Sequence, residues 1–158
     1  MRIEKRIPVA AGLGGGSADA AAALGLANAL LAQPFGRDRL HAVAAEVGAD
    51  VPFFLVGGTA LGLGRGDEIY PLLRQVQASV VVVDPGRPLS TAAVFARLDR
   101  GLTPRENANN IFRFVSSQLE GHADAFRCLS NDLEAAALEE DPGLDALGRD
   151  IRGILNRE

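Results

Sequence analysis

A run of glycines near the start of the chain has the composition of an anion-binding loop. Four of the five residues in 12–16 are glycine, and Ser17 and an alanine-rich stretch follow at once. Glycine lets the backbone approach a ligand closely, and the free amides and dipole of a helix N-terminus favour an anion. The segment therefore predicts a phosphate-binding loop, to which a flexible turn without a ligand is the alternative.

Two familiar glycine motifs do not fit this loop. The Walker loop needs a lysine before its serine or threonine, and the dinucleotide fingerprint would need a glycine where Ser17 stands. Ser17 is expected either to cap the following helix or to place its hydroxyl on a phosphate or on Mg²⁺. Asp19 would repel a phosphate, so we expect it to cap the helix or to approach the metal.

Asp50 is the carboxylate best placed for chemistry. It follows Gly48, which ends a predicted helix, and precedes an apolar run, so it occupies a rim position that can face a cleft. From the residues alone, a cap or turn role for such an aspartate is favoured over catalysis.

Composition narrows the class of partner. Sixteen basic and twenty acidic residues give a net charge of -4, and the arginines are scattered, which argues against nucleic acid and anionic membranes and favours a small-molecule ligand. No signal peptide or membrane-spanning run is present, so a cytoplasmic protein is expected. The lone Cys128 is expected to be buried, and no His/Cys cluster has metal-ligand spacing.

Residue periodicity predicts the elements that must position the loop and Asp50. The first part of the chain is predicted to contain helices at 18–32 and 38–47 and strands at 2–9, 51–56, 59–63 and 68–72. The second part is predicted to contain a buried strand at 79–83 and helices at 91–98, 108–119, 132–138 and 144–155. The predicted pattern changes near 73–78 from short strands to mostly helices. This change places the domain boundary there, giving domains 1–75 and 76–158.

Four strings carry a resemblance to a known family. The stretch Pro-x-x-x-Gly-Leu-Gly-Gly-Gly-Ser-Ala-Asp-Ala-Ala in 8–21 is similar to the nucleotide-binding motif of the GHMP small-molecule kinases. Gly-Ala-Asp-Val-Pro-Phe-Phe-Leu (48–55), Gly-Arg-Gly-Asp-Glu (64–68) and Ser-Asn-Asp-Leu-Glu (130–134) follow at compatible spacings. The tripled glycine resembles the branch of the family that phosphorylates 4-diphosphocytidyl-2-C-methyl-D-erythritol.

The resemblance implies a fold and a reaction. The fold would be α+β: part of a ribosomal S5 domain 2-like domain, followed by part of a ferredoxin-like domain. The reaction would be transfer of the γ-phosphate of ATP, with Mg²⁺, to the 2-hydroxyl of the diphosphocytidyl sugar alcohol in non-mevalonate isoprenoid biosynthesis. Another GHMP kinase with a different alcohol substrate, and a catalytically inactive nucleotide-binding fragment, are the alternatives.

The resemblance also assigns site residues. It makes Asp50 the catalytic base, or the group that orients the acceptor hydroxyl. It also offers Ser17 as a ligand of the Mg²⁺ ion that ATP carries. Phe95 would stack on the cytosine ring, to which a core role is the alternative of equal weight. The nucleotide would be bound by Pro8, Val9, Ala10, Ala11, Gly12, Leu13, Gly14, Gly15, Gly16, Ser17 and Ala18.

Other polar residues are given structural roles. Asn131 and Asp132 are expected to cap the helix that follows them, and Arg65 and Asp67 to be turn residues. Lys5 is expected to be a surface or edge residue. His41 and His122 have no partner in sequence, and no chemistry is assigned to them.

By resemblance, the family's N-terminal lysine motif and its late glycine loop have no counterpart in these 158 residues. We therefore expect exposed apolar surface and a chain that is marginally stable or self-associating.

Overall fold

The computed structural model describes residues 2–72, 79–100 and 131–155. The chain forms two compact units, Met1–Val81 and Val82–Glu158. The helix predicted at 108–119, Cys128 and the predicted boundary at 73–78 lie outside the described residues. The two predicted domains therefore stay a prediction.

Two helices form the base of the first unit. Helix α1 spans Gly15–Ala29 and helix α2 spans Arg37–Val47, which confirms the helices predicted at 18–32 and 38–47. Small side chains let them pack closely, because Ala21 and Ala44 are buried between α1, α2 and the helix that follows. Helix α1 begins inside the predicted loop. Glycine is tolerated in the first turn of a helix, because the N–H groups there have no intrahelical hydrogen-bond partner in any case.

The apolar run after Asp50 is a helix, so the strand predicted at 51–56 is wrong. Helix α3 spans Val51–Val56, and its Pro52 lies in the first turn, where a proline ring fits and its missing N–H costs nothing. Val51 and Pro52 are buried. Because the run is covered on more than one side, it lacks the polar positions that would have revealed a helical period.

A β-hairpin completes the first unit and confirms the strands predicted at 59–63 and 68–72. Strand β1 (Ala60–Leu63) pairs antiparallel with strand β2 (Glu68–Pro71), with Leu61 opposite Tyr70 and Gly62 opposite Ile69. The Arg65 guanidinium donates to the Asp67 carboxylate at 2.8 Å within the turn, as expected of turn residues.

Two other predicted strands are absent. Residues 2–9 and 79–83 are extended or irregular and pair with no strand among the described residues. The valines at 80–83 are exposed, Val81 by 89%. Their composition favours a strand, but a strand is stabilised by a neighbour that accepts its hydrogen bonds, and composition alone does not supply one.

Three helices are described in the second unit, and they confirm the helices predicted at 91–98, 132–138 and 144–155. They are α4 (Thr91–Arg100), α5 (Glu134–Glu140) and α6 (Gly143–Leu155). Val94 and Ala136 are buried, and the Arg97 Nε lies 2.6 Å from a Glu140 carboxylate oxygen, which ties α4 to α5. Helices and hairpin occupy separate stretches of the chain, so the class is α+β, as expected.

The start of α5 differs in detail from the prediction. Leu133 is its N-cap and no side chain caps it, so the expectation that Asn131 or Asp132 caps this helix is wrong. The Asn131 side-chain oxygen instead accepts the Leu133 N–H at 3.0 Å, in the turn that leads into the helix.

Candidate nucleotide and acceptor site

The glycine loop has an uncommon backbone conformation. Ala10, Gly12 and Gly14 all lie in the left-handed region, with φ values of 60°, 69° and 67°. Glycine adopts this conformation freely, but at Ala10 it costs about 1–2 kcal/mol. Strain of this kind persists where the surrounding structure holds it and is common at binding sites.

The loop delivers the chain to an open helix N-terminus. The first bond of α1 runs from the Ala18 N–H to the Gly14 carbonyl at 2.9 Å, so the preceding amides of the first turn have no partner within the helix. Gly14 is the N-cap and no side chain caps α1, so the predicted cap roles of Ser17 and Asp19 are wrong. The free amides and the helix dipole are suited to an anion.

Packing fixes the loop on the rest of the unit. A Cβ placed on Gly14 would lie 2.7 Å from the Phe54 ring, and one on Gly15 would lie 2.9 Å from the Ile7 side chain. A Cβ on Gly12 would meet nothing within 4 Å. Gly14 and Gly15 thus allow close packing within the protein, whereas Gly12 leaves space that a ligand can use.

Asp19, one turn further along α1, is held by Lys5. The Lys5 Nζ lies 2.5 Å from an Asp19 carboxylate oxygen, and both side chains are about one-third exposed, at 34% and 36%. A pair this exposed contributes little stability, about 0–1 kcal/mol. The pair does balance the negative charge of Asp19 beside the loop.

Asp50 has a carboxylate that the fold leaves uncommitted. It is the N-cap residue of α3, yet its side chain makes no cap hydrogen bond, so the cap role that the residues alone favour is wrong. The side chain is exposed, and no hydrogen bond or ion pair joins it to another residue in the described segments.

The loop and Asp50 open on the same cleft, which has a volume of about 370 Å³. Helix α3 supplies one wall through Phe53 and Phe54, whose rings meet edge to face at 5.3 Å, and the hairpin supplies the other. The structure thus brings Gly12, Leu13, Gly14 and Asp50 together. The other predicted nucleotide-binding residues, 8–11 and 15–18, do not line this cleft. The hairpin wall is formed by Ala60, Gly62, Gly66 and Ile69.

Sequence reasoning missed the walls of the cleft. Phe53 and Phe54 could have been found, because they follow Asp50 directly in the same string. Gly66 belongs to the quoted string 64–68, whereas Gly62 and Ile69 carried no comparable signal, since their proximity to Asp50 depends on how the hairpin folds back on α3.

Phe95 lies on α4 in the second unit and is 48% exposed, so the core role considered for it is wrong. Its ring is available to a ligand. Stacking on cytosine stays a prediction.

Metal and membrane features were sought in the described residues. In 2–72, 79–100 and 131–155, no three His, Cys, Asp or Glu side chains are grouped so as to hold a metal ion. Of the helices in those segments, none has both the length and the apolar character needed to cross a membrane.

Comparison with known proteins finds that the chain is similar to kinases of one kind. Residues 1–58 match the family model described as the GHMP kinases N terminal domain. A 4-diphosphocytidyl-2-C-methyl-D-erythritol kinase from Arthrobacter sp. (strain FB24) is 50% identical over 155 residues, covering 94% of this chain and 48% of that protein. The enzyme of the same name from Leifsonia xyli subsp. xyli (strain CTCB07) is 42% identical over 153 residues, covering 91% and 50%.

A solved structure agrees with these relatives. The crystal structure of a 4-(cytidine 5'-diphospho)-2C-methyl-D-erythritol kinase superposes with a TM-score of 0.63 at 30% identity, covering 95% of this chain and 53% of that one. The chain therefore spans about half the length of the relatives it matches.

Proposed function

Since the chain belongs to the GHMP kinase family and has its α+β fold, we propose that the protein is an ATP-dependent kinase of 4-diphosphocytidyl-2-C-methyl-D-erythritol. The reaction is transfer of the γ-phosphate to the 2-hydroxyl of the sugar alcohol, a step of non-mevalonate isoprenoid biosynthesis. One observation carries the proposal: the glycine loop and the free carboxylate of Asp50 open on a single cleft.

The loop binds the phosphates of ATP. Gly12, Leu13 and Gly14 line the cleft and lead into the N-terminus of α1, whose unpaired amides and helix dipole favour negative charge at this end of the helix. The open space at Gly12 allows a phosphate oxygen to approach the backbone. Catalysis of phosphoryl transfer depends mainly on such positioning and charge stabilisation.

Asp50 acts on the acceptor. The substrate hydroxyl oxygen attacks the γ-phosphorus, the bond from that phosphorus to the β–γ bridging oxygen breaks, and ADP leaves. Asp50 orients the hydroxyl and accepts its proton, for which a carboxylate without an internal hydrogen bond is suited.

The donor set fits a Mg²⁺ ion that arrives on the nucleotide. Mg²⁺ prefers hard oxygen ligands and usually needs only one or two from the protein when phosphates supply others. The chain offers the Ser17 hydroxyl, in the first turn of α1, and no three-residue cage among the described residues. When bound, the ion neutralises charge on the phosphates.

The exposed ring of Phe95 supports stacking on the cytosine base of the acceptor. The partners of the protein are thus small molecules, ATP and the diphosphocytidyl alcohol, without nucleic acid or membrane. The net charge of -4 is in keeping with this, and we place the protein in the cytoplasm. The exposed valines at 80–83 support self-association of the chain.

A coupled assay of ADP release, with MgATP and the diphosphocytidyl alcohol, tests the function. It is run on this chain and on a fusion that adds the remaining sequence of the Arthrobacter relative. We expect Asp50→Asn to lower kcat by about 10²–10⁴-fold, the range that a general base contributes. Glu46→Gln, which neutralises an exposed carboxylate on α2, is the matched control and should leave the rate unchanged.

Other results would redirect the proposal. Turnover of a different alcohol but not of the diphosphocytidyl substrate would make the protein another GHMP kinase. Nucleotide binding without turnover of any alcohol in either chain would leave only a binding function.

A further inference from the structure

The first unit contains a second and larger cavity, of about 670 Å³, which neither the glycine loop nor Asp50 lines. Its walls come from the start of α2, the end of α3 and strand β2. Ligand sites for small molecules commonly have volumes of about 300–1,000 Å³ and mostly apolar walls with a few polar groups. This cavity has both properties.

The aromatic part of the wall is held in place. Phe35 is fixed by the Asn28 side chain, which donates to the Phe35 carbonyl at 3.1 Å and accepts the Phe35 N–H at 2.7 Å. The Arg39 guanidinium lies 4.7 Å from the centre of the Phe35 ring. Phe35 lines the cavity and remains 41% exposed, so part of its aromatic surface faces the solvent space there.

Strand β2 supplies the second aromatic group and an acid. Tyr70 lines the cavity and is 52% exposed, and Glu68 lies two residues earlier on the same side of the strand. Helix α2 contributes Arg37 and His41, one turn apart on one side, and the carboxylate of Asp38. The cavity thus presents hydrogen-bond donors and acceptors together with two aromatic rings.

These groups select a class of ligand. A planar ring in the ligand can stack on the aromatic side chains. If the ligand also carries ring nitrogens and exocyclic groups, some of them donors and others acceptors, it can hydrogen-bond to both the acidic and the basic side chains of the cavity. A purely apolar ring would make no hydrogen bond with Arg37, Asp38 or Glu68. A simple anion would be repelled by the two carboxylates. We propose that this cavity is a second binding site, which takes a planar nitrogen heterocycle of the nucleobase type.

The site adjoins the cleft of Asp50 without containing it. Ile69 lines both spaces, and α3 contributes Phe53 and Phe54 to the cleft but Leu55 and Val56 to the cavity. A ligand in the cavity therefore contacts two elements that shape the cleft. The proposal does not depend on the kinase reaction, because it concerns the binding of free bases.

The composition of the chain provides a direct probe. Tyr70 is the single tyrosine, so a chain labelled in its tyrosine ring gives ring NMR signals from this residue alone. We expect free adenine and free cytosine to shift the Tyr70 signals in a saturable manner, and ribose and indole, which lack the ring or its polar edges, to shift them much less. Bases that leave the Tyr70 signals unmoved would overturn the proposal, as would indole shifting them as strongly.

Variants then separate the cavity from the cleft, with affinity for radiolabelled adenine measured by equilibrium dialysis. Tyr70→Ala should weaken binding about tenfold, the equivalent of one lost base-stacking contact, and Tyr70→Phe should restore most of it. Asp50→Asn and Gly12→Ala should leave this affinity unchanged. Loss of adenine binding in these cleft variants, with Tyr70→Ala unaffected, would assign the base to the cleft and overturn the second site. Failure of the kinase assay would affect neither result.

Discussion

The cleft and the larger cavity of the first unit are lined by different kinds of residue. The lining of the cleft beside Asp50 includes four glycines, Gly12, Gly14, Gly62 and Gly66, whereas the cavity lined by Tyr70 has no glycine in its lining. A surface made of backbone requires glycine at fixed positions, so it leaves a motif in the sequence. A surface made of side chains from three elements leaves none. The difference explains why the glycine loop and Asp50 could be predicted, and why the cavity could not.

The largest expected change comes from a side chain added on the protein side of the loop. Gly14→Ala combines a left-handed φ of 67° with a Cβ only 2.7 Å from the Phe54 ring. We expect it to lower the free energy of unfolding by about 3 kcal/mol, from backbone strain and overpacking together. Urea denaturation followed by circular dichroism measures this loss.

Two neighbouring glycines are controls for that change. Gly12→Ala should cost about 1 kcal/mol, because it has the strain without the clash. Gly16→Ala, in the first turn of α1 with open space around it, should be neutral or gain up to about 1 kcal/mol. Equal losses at positions 12 and 14 would contradict the distinction between a ligand side and a protein side of the loop.

The cavity should respond to a change that leaves the cleft unaltered. Asn28→Ala removes both hydrogen bonds to the Phe35 backbone, and we expect it to lower the free energy of unfolding by about 2 kcal/mol. Hydrogen exchange of the Phe35 amide should become faster, while that of the Gly57 amide at the end of α3 should not. Unchanged exchange at Phe35 would mean that Asn28 does not fix this wall.

The smallest expected change lies in the turn of the hairpin, whose strand β2 contributes to both the cleft and the cavity. The Arg65 guanidinium, which donates to the Asp67 carboxylate, lowers the pKa of Asp67 from its usual range. A carboxyl with a lowered folded-state pKa stabilises the fold above its unfolded-state pKa, and this contribution is lost as the pH falls through the folded-state value. Asp67→Asn should therefore lower Tm slightly near neutral pH. In thermal melts, the difference from the parent chain should begin to shrink below about pH 4 and should disappear as the pH falls through the lowered folded-state pKa of Asp67.

The match of residues 1–58 to the GHMP kinase model and the likeness to a solved kinase structure agree with the family and the fold that the four strings indicated. Helices α1 and α2 and the hairpin followed from periodicity and from glycine turns, because each is specified by its own residues. The segment 51–56 was misread because burial removed its polar positions, and the segment 79–83 because a strand depends on a partner that composition does not reveal. The place of Asp50 in a cleft was inferred from its string, but its free carboxylate became visible only in the structure.

The left-handed turn at Ala10 has a consequence for the kinetics of binding. Under the proposed function, a loop that binds phosphate in the shape it has in the structure need not rearrange, so the conformational energy at Ala10 is spent at folding rather than at association. The observed association rate of a nucleotide should then rise in proportion to its concentration, without the plateau that a slow opening or closing step would impose. Ala10, the one non-glycine residue with a positive φ in the described segments, would thus make capture of the ligand a single step.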